Sequence, residues 1–508
     1  METTEVVIVG SGPTGLMLAR ELSLAGVRSV VLEKLPERSG LRKALNLQPR
    51  TAEMFDLRGL LDDAGVRSIA NVPDGHFAGL PVPLGFEGWD SRRPYQVTIP
   101  QARVEALLEE GLADGFGAVV RYGTEVTGVT EVAGGVEVRT VGPDGREEVI
   151  QAQYAVACDG GRSTVRKLLE VPFPGVDPRA FGVVADLEIA PGAASVPTKW
   201  GSSVDLFSRP GPAGHMAMLL PMDEPGLYWS VIMGPTPPRD RDEPVTVEEL
   251  EAGIHAFFGD DVRVSRVIAA SRFTDASRQV ESYRAGRVLF AGDAAHIHIP
   301  VGGQGMNLGL QDAMNLGWKL AAEIRGTAPA GLLDTYSAER HPVAAQVLAN
   351  TRAQGMLMFA KEDPAVAAIR EVLHGVLTVP EANRHIAGMI SGLSIRYPIG
   401  TATAVDHPFR GTRLPDAEID GTWASSHFVE GRGVLFHTGP DDADALAPWA
   451  DRVRSVHVER MPDAWPDVAG LLVRPDGYVC ALLPADGLQE SLSGWFGEPA
   501  SSPVGAAA

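Results

Sequence analysis

The opening of the chain alternates between short apolar runs and glycine-rich breaks. Four consecutive β-branched residues at 6–9 predict a buried strand over Glu5–Gly10. A helical pattern follows from Thr14 to Ala25, and a second apolar run predicts a strand over Arg28–Glu33. The two strands and the helix between them form a βαβ unit, which favours a parallel sheet.

The pattern changes after Pro172. Before it, a basic loop at 34–50 leads into a predicted helix over Ala102–Leu112 and strands over Ala118–Val129, Gly135–Val141 and Gln153–Ala157. After it, glycine and proline divide short apolar segments, which predicts an inserted antiparallel sheet with one amphipathic helix. The strands are predicted at Phe181–Ile189, Ser203–Phe207, His215–Pro221 and Gly226–Met233, and the helix at Thr246–Phe258.

The first pattern returns near Arg287. A buried strand over Val288–Ala291 precedes a long helix that begins near Gly305, and helical spacing continues to about residue 395. From about residue 400 the chain again alternates, which predicts a small α/β unit. Its strands are predicted at Gly433–His437, Val453–Val458, Gly470–Val473 and Gly477–Leu482.

Composition narrows the class of protein. The 508 residues carry 44 basic and 65 acidic side chains, a net charge of −21, so we expect neither a nucleic-acid nor a membrane partner. No run of about 18 apolar residues is present, and Glu2 and Glu5 stand where a signal peptide is basic. With two cysteines, Cys158 and Cys480, we expect no disulfide scaffold and no metal. The expected protein is cytoplasmic, and a monomer or homodimer.

Three glycine-rich segments carry the candidate chemistry. The first, GSGPTG at 10–15, lies between a strand and a helix, where Gly10 permits the tight turn and Gly12 lets the backbone approach a pyrophosphate. Gly15 allows the helix to pack closely on the strand. Glu33 ends the second strand, where a carboxylate binds ribose hydroxyls and repels a 2′-phosphate. This context strongly favours binding of FAD or NAD rather than NADP.

The second segment, CDGGRSTVR at 158–166, also follows a strand and precedes a helix. Its chemistry is an acidic turn beside two arginines. Capping of the helix by Asp159 or Ser163 explains it equally well, so the residues alone do not decide its role.

The third segment joins GDAAH at 292–296 to Pro300 and GGQGMN at 302–307. The carboxylate of Asp293 can accept hydrogen bonds from sugar hydroxyls, and a glycine-rich loop that opens a helix can stabilise negative charge on a nearby ring. His296 is interpreted as a packed residue that orients the loop, because the sequence shows no partner for acid–base work.

These three segments, in this order, resemble the group A flavoprotein aromatic hydroxylases of the p-hydroxybenzoate hydroxylase fold. The run from Asn307 through Asp312, Asn315, Trp318 and Lys319 resembles the helix that follows their ribityl-binding motif. RGTRLP at 410–415 and LVRPDG at 472–477 resemble the thioredoxin-like appendage of phenol, polyketide and rifampicin hydroxylases. The appendage has no Cys-x-x-Cys, so redox work by it is not expected.

The resemblance implies an α/β fold with three domains. A Rossmann-like FAD-binding domain is expected at 1–172 and 273–398, including the helical segment 305–395. A substrate-binding domain with an antiparallel sheet is expected at 173–272, and a thioredoxin-like domain at 399–508.

The resemblance also implies site residues for non-covalent FAD. The expected contacts are Gly10, Gly12, Pro13, Thr14 and Gly15 at the pyrophosphate, Glu33 at the adenosine ribose, Val126 at adenine, Gln101 at the flavin linker, Asp293 at the ribityl chain, and Pro300, Gly303, Gly305, Met306 and Asn307 at the isoalloxazine ring. Lys34, Arg42 and Lys43 belong to the basic loop. The family commonly has Arg-Ala where this chain has Lys43-Ala44, so either Arg42 or Lys43 could hold the flavin.

A monooxygenase is the leading hypothesis. Only one GxGxxG is present, which in the resembled family means that NADPH or NADH docks transiently, near Asp159 and Arg166. Reduced flavin then reacts with O2 to give a C4a-hydroperoxide that hydroxylates a polycyclic, polyketide-type aromatic. The pocket candidates are His215, Met216, Met218, Tyr228 and Trp229; no general base is assigned, since Tyr228, His215 or solvent could take a phenolic proton.

Two other functions stay open. The same scaffold resembles enzymes of Baeyer–Villiger oxygenation, in which the peroxide attacks a ketone. A flavin-bearing protein that sequesters a drug-like aromatic is the non-enzymatic alternative. A halogenase is disfavoured because its Gly-Trp-x-Trp-x-Ile-Pro stretch is missing.

Overall fold

The computed structural model describes residues 2–113, 117–207, 209, 211–237, 243–399, 407–439 and 445–499. Within these ranges, no helix has the length and apolar character needed to cross a bilayer. The helices are α1 Pro13–Leu24, α2 Pro49–Asp56, α3 Leu61–Val66, α4 Gln101–Ala113, α5 Thr164–Leu168, α6 Ser203–Phe207, α7 Val247–Phe258, α8 Gln304–Ile324, α9 Thr335–Phe359, α10 Pro364–Leu377, α11 Pro380–Ser391 and α12 Leu488–Phe496.

Most strands are short and fall into a few sheets. They are β1 Glu2–Thr3, β2 Val6–Val9, β3 Ser29–Leu32, β4 Asn46–Leu47, β5 Ala70–Val72, β6 Asp74–Gly75, β7 Leu84–Gly85, β8 Gln96–Thr98, β9 Ala118–Arg121, β10 Glu125–Val132, β11 Gly135–Val141, β12 Glu147–Ala152, β13 Tyr154–Ala157, β14 Gly175–Val176, β15 Phe181–Ile189, β16 Met216–Pro221, β17 Leu227–Gly234, β18 Val264–Thr274, β19 Ser277–Gln279, β20 Arg284–Ala285, β21 Val288–Phe290, β22 His296–Ile297, β23 Glu418–Ile419, β24 Thr422–Trp423, β25 Gly433–His437, β26 Val453–His457, β27 Gly470–Val473 and β28 Val479–Leu483.

A six-stranded sheet, in the order β20-β21-β13-β2-β3-β9, holds the main core. The strands from β21 to β9 run parallel, and β20 is antiparallel at one edge. Strands β2, β3, β13 and β21 are buried throughout, as expected for a parallel sheet covered on both faces. The carboxyl ends of β2, β13 and β21 therefore lie side by side, and each leads into one of the three glycine-rich segments. The predicted α/β class is confirmed.

One predicted strand in this region is two. The segment Ala118–Val129 forms β9 and the start of β10, because the chain turns at Gly123, which has a φ of 67°. Glycine adopts this left-handed conformation without the steric cost that other residues meet.

The inserted sheet is antiparallel in the order β16-β17-β15-β18. Side chains alternate between its two faces, as they do in any strand. One face packs on α7 around Leu250 and Ile254. The other face, here called the apolar face, packs against Leu41 and Leu45 of the basic loop; its sheet residues include Val184, Met216, Met218, Leu220, Leu227, Trp229 and Val231.

The prediction of a strand at Ser203–Phe207 is wrong, since this segment forms helix α6. The backbone N–H of Asp205 donates to the Ser202 hydroxyl, and the N–H of Ser202 donates to the Asp205 carboxylate, both at 3.3 Å. This reciprocal capping starts a helix. The fourth strand of the sheet is instead β18, which the sequence did not predict.

The C-terminal sheet has the order β26-β25-β27-β28. Strand β25 runs parallel to β26 and antiparallel to β27, and α12 follows β28, as in a thioredoxin-like fold. The four predicted strands are confirmed to within two residues at each end. The predicted start of this unit at residue 399 adjoins residues 400–406, which lie outside the described residues.

A buried ion network joins this unit to helices α8 and α9. Arg474 donates to both oxygens of Glu339, at 2.7 and 2.8 Å, and to Asp476. Lys319 donates to Glu339 at 2.9 Å, and Asn315 donates to Asp476 at 3.2 Å. Burial lowers the pKa of Lys319 to about 8, although Glu339 opposes this. Because the two cations balance the two anions, the charges are paired inside the interface.

Candidate active site

The first glycine-rich turn has the geometry that a dinucleotide requires. Gly10 has a φ of 105°, and a Cβ there would collide with the carbonyl of Cys158. A Cβ at Gly15 would collide with the carbonyl of Gly10, whereas one at Gly12 would have no neighbour within 4 Å. Pro13 opens α1, and no side chain caps that helix. An open space therefore faces a helix N-terminus, which favours a phosphate group.

Glu33 is tied to this turn. One carboxylate oxygen accepts from the backbone N–H and the hydroxyl of Ser11, at 3.0 and 3.1 Å, and the other accepts from the N–H of Leu35. The side chain is half-buried, so a ribose could reach it. Lys34 is exposed beside it.

The Gly-Asp turn lies against the first turn. Gly292 has a φ of 59°, and a Cβ there would lie 2.7 Å from the Thr14 hydroxyl oxygen. A Cβ at Gly309 on α8 would also collide with that hydroxyl. Asp293, next in the turn, is exposed. The fold thus brings Thr14 and Asp293, nearly 280 residues apart in sequence, to the same edge of the sheet.

A buried carboxylate holds the Gly-Asp turn. Asp312 of α8 accepts from the N–H of Gly292 at 3.1 Å and is 2.7 Å from His296 Nε2. Its other oxygen accepts from Arg340 Nε at 2.7 Å, and Arg340 also donates to the Tyr397 hydroxyl. Burial would raise the pKa of Asp312, but Arg340 and His296 outweigh it and lower that pKa. His296 thus has an acidic partner that the sequence did not reveal, in a position that orients the loop.

The second segment caps a helix. Asp159 accepts from the backbone N–H groups of Thr164 and Val165, at 2.6 and 3.1 Å, and Ser163 accepts from that of Arg166. The second carboxylate oxygen of Asp159 is buried and has no hydrogen bond from any described residue. The capping interpretation therefore holds, and one oxygen is left for a ligand.

Arg166 is buried rather than presented to solvent. It donates to the carbonyls of Ala294 and Gly161, at 2.9 and 2.7 Å, and stacks 3.7 Å from the ring centre of Phe173. These contacts join the second and third glycine-rich segments. They favour a positioning role, and docking of a nicotinamide at Arg166 stays a prediction.

The loop at 300–307, here called the glycine loop, opens helix α8. Gly302 and Gly303 have φ values of 75° and 61°, and a Cβ at Gly303 would collide with the Asn46 side chain. Asn307 accepts from the N–H of Gln48 at 2.7 Å and donates to the carbonyls of Gly303 and Asn46. No side chain caps the 21-residue helix α8, so its positive dipole end faces this loop. Pro300 is exposed, and Gly305 and Met306 are half-buried in the loop and first turn.

A chain of amides extends from the glycine loop. The side-chain oxygen of Gln96 accepts from Asn46 at 2.5 Å and from Gln48 at 3.2 Å. The Gln48 side chain also donates to the carbonyl of Gly302, and the Gln96 side chain donates to the carbonyl of Asp74. The carboxylate of Asp74 accepts from the backbone N–H of Ser203, the first residue of α6. Sequence reasoning missed these residues, because single amides in a loop-rich stretch carry no spacing signal.

The two candidate cations lie in different surroundings. Arg42 points to the inserted sheet, where its guanidinium is 3.4 Å from Asp186. Lys43 is exposed. The carbonyl of Ala44 accepts from the backbone N–H of Gln101 at 2.8 Å, which places Lys43 near the start of α4. Burial raises the pKa of Glu105, and the Gln101 amide and the charge of Lys43 oppose that rise. Gln101 donates to Glu105 at 2.8 Å.

The remaining predicted residues are placed as follows. Val126 is buried in β10. Met216, Met218 and Trp229 lie on the apolar face, towards the basic loop. Tyr228 packs on the opposite face with α7, and its hydroxyl donates to the carbonyl of Pro197. The side chains of Tyr228 and Trp229 therefore lie on opposite faces of the sheet. This placement does not favour Tyr228 as a base for a phenol bound on the apolar face. His215 directly precedes β16, and its ring Nδ1 lies 2.9 Å from the carbonyl oxygen of Ala213.

Comparison with known proteins decides the family. An FAD-binding-domain family matches residues 3–351, and an aromatic-ring hydroxylase C-terminal family matches residues 407–499. The chain is 47% identical over 515 residues to the anhydrotetracycline monooxygenase of Streptomyces rimosus, covering 98% of this chain and 99% of that one. The chain belongs to the FAD-dependent aromatic-ring monooxygenases.

Other matches agree with this family. The rifampicin monooxygenase of Streptomyces venezuelae is 40% identical over 500 residues, with 97% of this chain and 98% of that protein covered. The solved structure of the anhydrotetracycline hydroxylase OxyS from Streptomyces rimosus aligns with a TM-score of 0.87 at 44% identity, covering 98% of this chain and 100% of that one. The predicted resemblance, the fold and the monooxygenase class are confirmed.

The geometry of this monooxygenase fits its cofactor. Gly12 faces open space at the N-terminus of α1, the Glu33 carboxylate stands at the end of β3, and Gly292, which precedes the exposed Asp293, lies against Thr14. Among the described residues, no three His, Cys, Asp or Glu side chains are grouped to bind a metal. The turn at 10–15 and the Glu33 carboxylate therefore fit the nucleotide part of FAD.

Proposed function

We propose that this monooxygenase uses NADPH or NADH and O2 to hydroxylate a polycyclic, polyketide-type aromatic, with FAD held non-covalently. One atom of O2 enters the ring and the other leaves as water, with the two electrons supplied by the nicotinamide. The bound flavin, when reduced, supplies the chemistry that activates O2. The relatives that act on anhydrotetracycline and rifampicin support a large aromatic substrate.

One observation carries the proposal: an apolar sheet face lies across the basic loop from the glycine loop. Trp229, Met216 and Met218 share that face, and Leu41 and Leu45 pack against it. Such a surface suits a flat, mostly apolar ligand and excludes water from it. The amides of Asn46 and Gln96, which link this region to the glycine loop, offer polar groups that could orient ring oxygens.

The contacts above support the following cofactor-binding roles. Gly10 to Gly15 would bind the pyrophosphate, Glu33 the adenosine ribose, and Asp293 the ribityl chain. The N-terminus of α8 would stabilise negative charge on the ring. Because Arg42 is engaged by Asp186, Lys43 is the cation that we assign to the flavin side of the loop.

The test is turnover by the purified protein. NAD(P)H oxidation, hydrogen peroxide and product mass are measured together against a panel of polycyclic phenols. A product with one added oxygen and an intact ring system supports the proposal. A ketone converted to a lactone would instead show Baeyer–Villiger oxygenation, and tight binding without any change in rate or mass would show sequestration.

A further inference from the structure

The backbone of Arg42 is held by the inserted sheet at both of its polar groups. Its N–H donates to Asp186 at 3.1 Å, and its carbonyl accepts from the indole N–H of Trp229. The Arg42 guanidinium also lies 3.4 Å from the second Asp186 oxygen. A single residue of the basic loop is therefore fixed by two residues of the inserted sheet.

Asp186 and Trp229 are direct cross-strand partners on β15 and β17. Trp229 belongs to the apolar face, and the alternation of β15 places Asp186 on the same side of the sheet as Val184 of that face. An aromatic ring that packs on Trp229 would therefore touch one of the two groups that hold Arg42.

The Asp186 carboxylate is unusually placed for a structural ion pair. It is 1% exposed, and Oδ1, the oxygen nearer the Arg42 guanidinium, makes no hydrogen bond with any described residue. A buried carboxylate with incomplete pairing is costly, so its presence is weak evidence for stability alone. An apolar residue, like its neighbours on this face, would pack there at lower cost.

The held segment is short and leads to the flavin side. Four residues after Arg42, the Asn46 side chain lies against Gly303 of the glycine loop. The backbone carbonyl of Asn46 accepts a hydrogen bond from the side chain of Asn307, in the first turn of α8. Lys43, between these ends, is exposed, and the next residue, Ala44, accepts from the backbone N–H of Gln101 at 2.8 Å. A shift of Arg42 would thus move the residues beside the ring of the cofactor.

We propose that Asp186 and Trp229 are positioning residues that clamp Arg42, so that substrate packed on Trp229 changes how the segment 42–46 holds the flavin and makes reduction dependent on bound aromatic. This inference rests on the proposed function. Neither residue donates a proton or electron; each acts through the backbone of Arg42.

The test compares Asp186→Asn and Trp229→Phe with a matched control on the same strand. Asn keeps the size of Asp186 but loses the charge, and Phe keeps the ring but loses the N–H. Glu188→Gln is the control, because Glu188 lies two residues along β15 and pairs with an exposed Arg266 at the surface.

The first readout is the ratio of NAD(P)H oxidation with and without aromatic, alongside FAD content. We expect both clamp variants to keep FAD and to lower this ratio. The loss should be about tenfold for Asp186→Asn, which removes a charged acceptor, and smaller for Trp229→Phe, which removes a neutral hydrogen bond. Glu188→Gln should keep the wild-type ratio. A folded, FAD-loaded Asp186→Asn with the wild-type ratio overturns the inference, and Trp229→Phe decides it should Asp186→Asn not fold.

The second readout does not require turnover. Deuterium exchange of peptides covering residues 41–47 is measured on the FAD-loaded protein by mass spectrometry. We expect several-fold faster exchange in both clamp variants and no change in Glu188→Gln; unchanged exchange in the clamp variants overturns the inference. If no aromatic stimulates the wild type, the proposed function fails while this exchange measurement still decides whether the clamp exists.

Discussion

Substitution of Asp312 by Asn should loosen the Gly-Asp turn and weaken FAD binding. Asp312 is fully buried on α8 and accepts hydrogen bonds from Gly292, His296 and Arg340. Asn has nearly the same size, but it carries no charge and only one acceptor oxygen. Arg340 would then stay buried without its anion.

The magnitude follows from that unpaired guanidinium. Removal of one partner from a buried ion pair costs about 3–5 kcal/mol. Asn keeps one acceptor oxygen for Gly292 or Arg340, so the cost should lie at the lower end of this range. We therefore expect the free energy of unfolding to fall by about 3 kcal/mol. FAD affinity should fall as well, because Asp293 follows Gly292 directly in the turn.

Urea unfolding and fluorescence titration of the apoprotein with FAD measure the two effects. Glu323→Gln is the matched control, since Glu323 also lies on α8 but is half-buried, and its carboxylate accepts a hydrogen bond from the Tyr154 hydroxyl rather than from a buried cation. We expect it to change stability by less than about 1 kcal/mol. The reasoning is refuted if Asp312→Asn lowers the free energy of unfolding by less than about 1 kcal/mol and binds FAD as tightly as the wild type.

Three further predictions concern separate parts of the molecule. Asp293→Ala should lose most bound FAD, because each charge-assisted bond to a ribityl hydroxyl is worth about 1.5–3 kcal/mol, whereas Cys480→Ala, in the buried C-terminal sheet, should keep it; equal flavin absorbance in both purified variants would contradict this. Burial alone would raise the pKa of Glu339, but the two buried cations beside it lower that pKa to about 2, so its stabilisation is present above pH 4.5 and is lost as the pH falls towards 2. Urea titrations across that range should therefore show a flatter pH dependence in Glu339→Gln than in the wild type. Tyr228→Phe should keep substrate-stimulated NAD(P)H oxidation within about twofold of the wild type, since its hydroxyl bonds a backbone carbonyl on the α7 side; a large loss at every pH would show that it reaches the substrate.

Local signals in the sequence were sufficient for the main elements of the fold. Strands β2 and β3 and helix α1 form where β-branched runs, glycine and helix formers indicate them. The segment Ser203–Phe207 shows the limit of this reasoning, because its apolar residues suggest a strand while the Ser202–Asp205 capping pair starts a helix. Strand β18 was missed because polar residues such as Ser265 and Arg266 interrupt its pattern at the surface.

The site was predictable only where a motif fixes spacing. The glycines at 10–15 and Asp293 belong to such motifs. Gln96 and Asp186 do not, since their importance depends on partners about 50 and 144 residues away in the chain. Tertiary packing likewise buries Arg166 and turns Tyr228 towards α7. Patterns in a single sequence do not reveal such contacts.

The central claim is that this chain inserts one atom of O2 into an aromatic ring at the expense of NAD(P)H. The most direct test supplies the FAD-loaded protein with NAD(P)H, a polycyclic phenol and oxygen-18 gas, and follows the product by mass spectrometry. We expect one labelled oxygen atom in each product molecule, an intact ring system, and one NAD(P)H oxidised per product formed. Product without the label, or NAD(P)H oxidation that yields only hydrogen peroxide with every aromatic in the panel, would contradict the account.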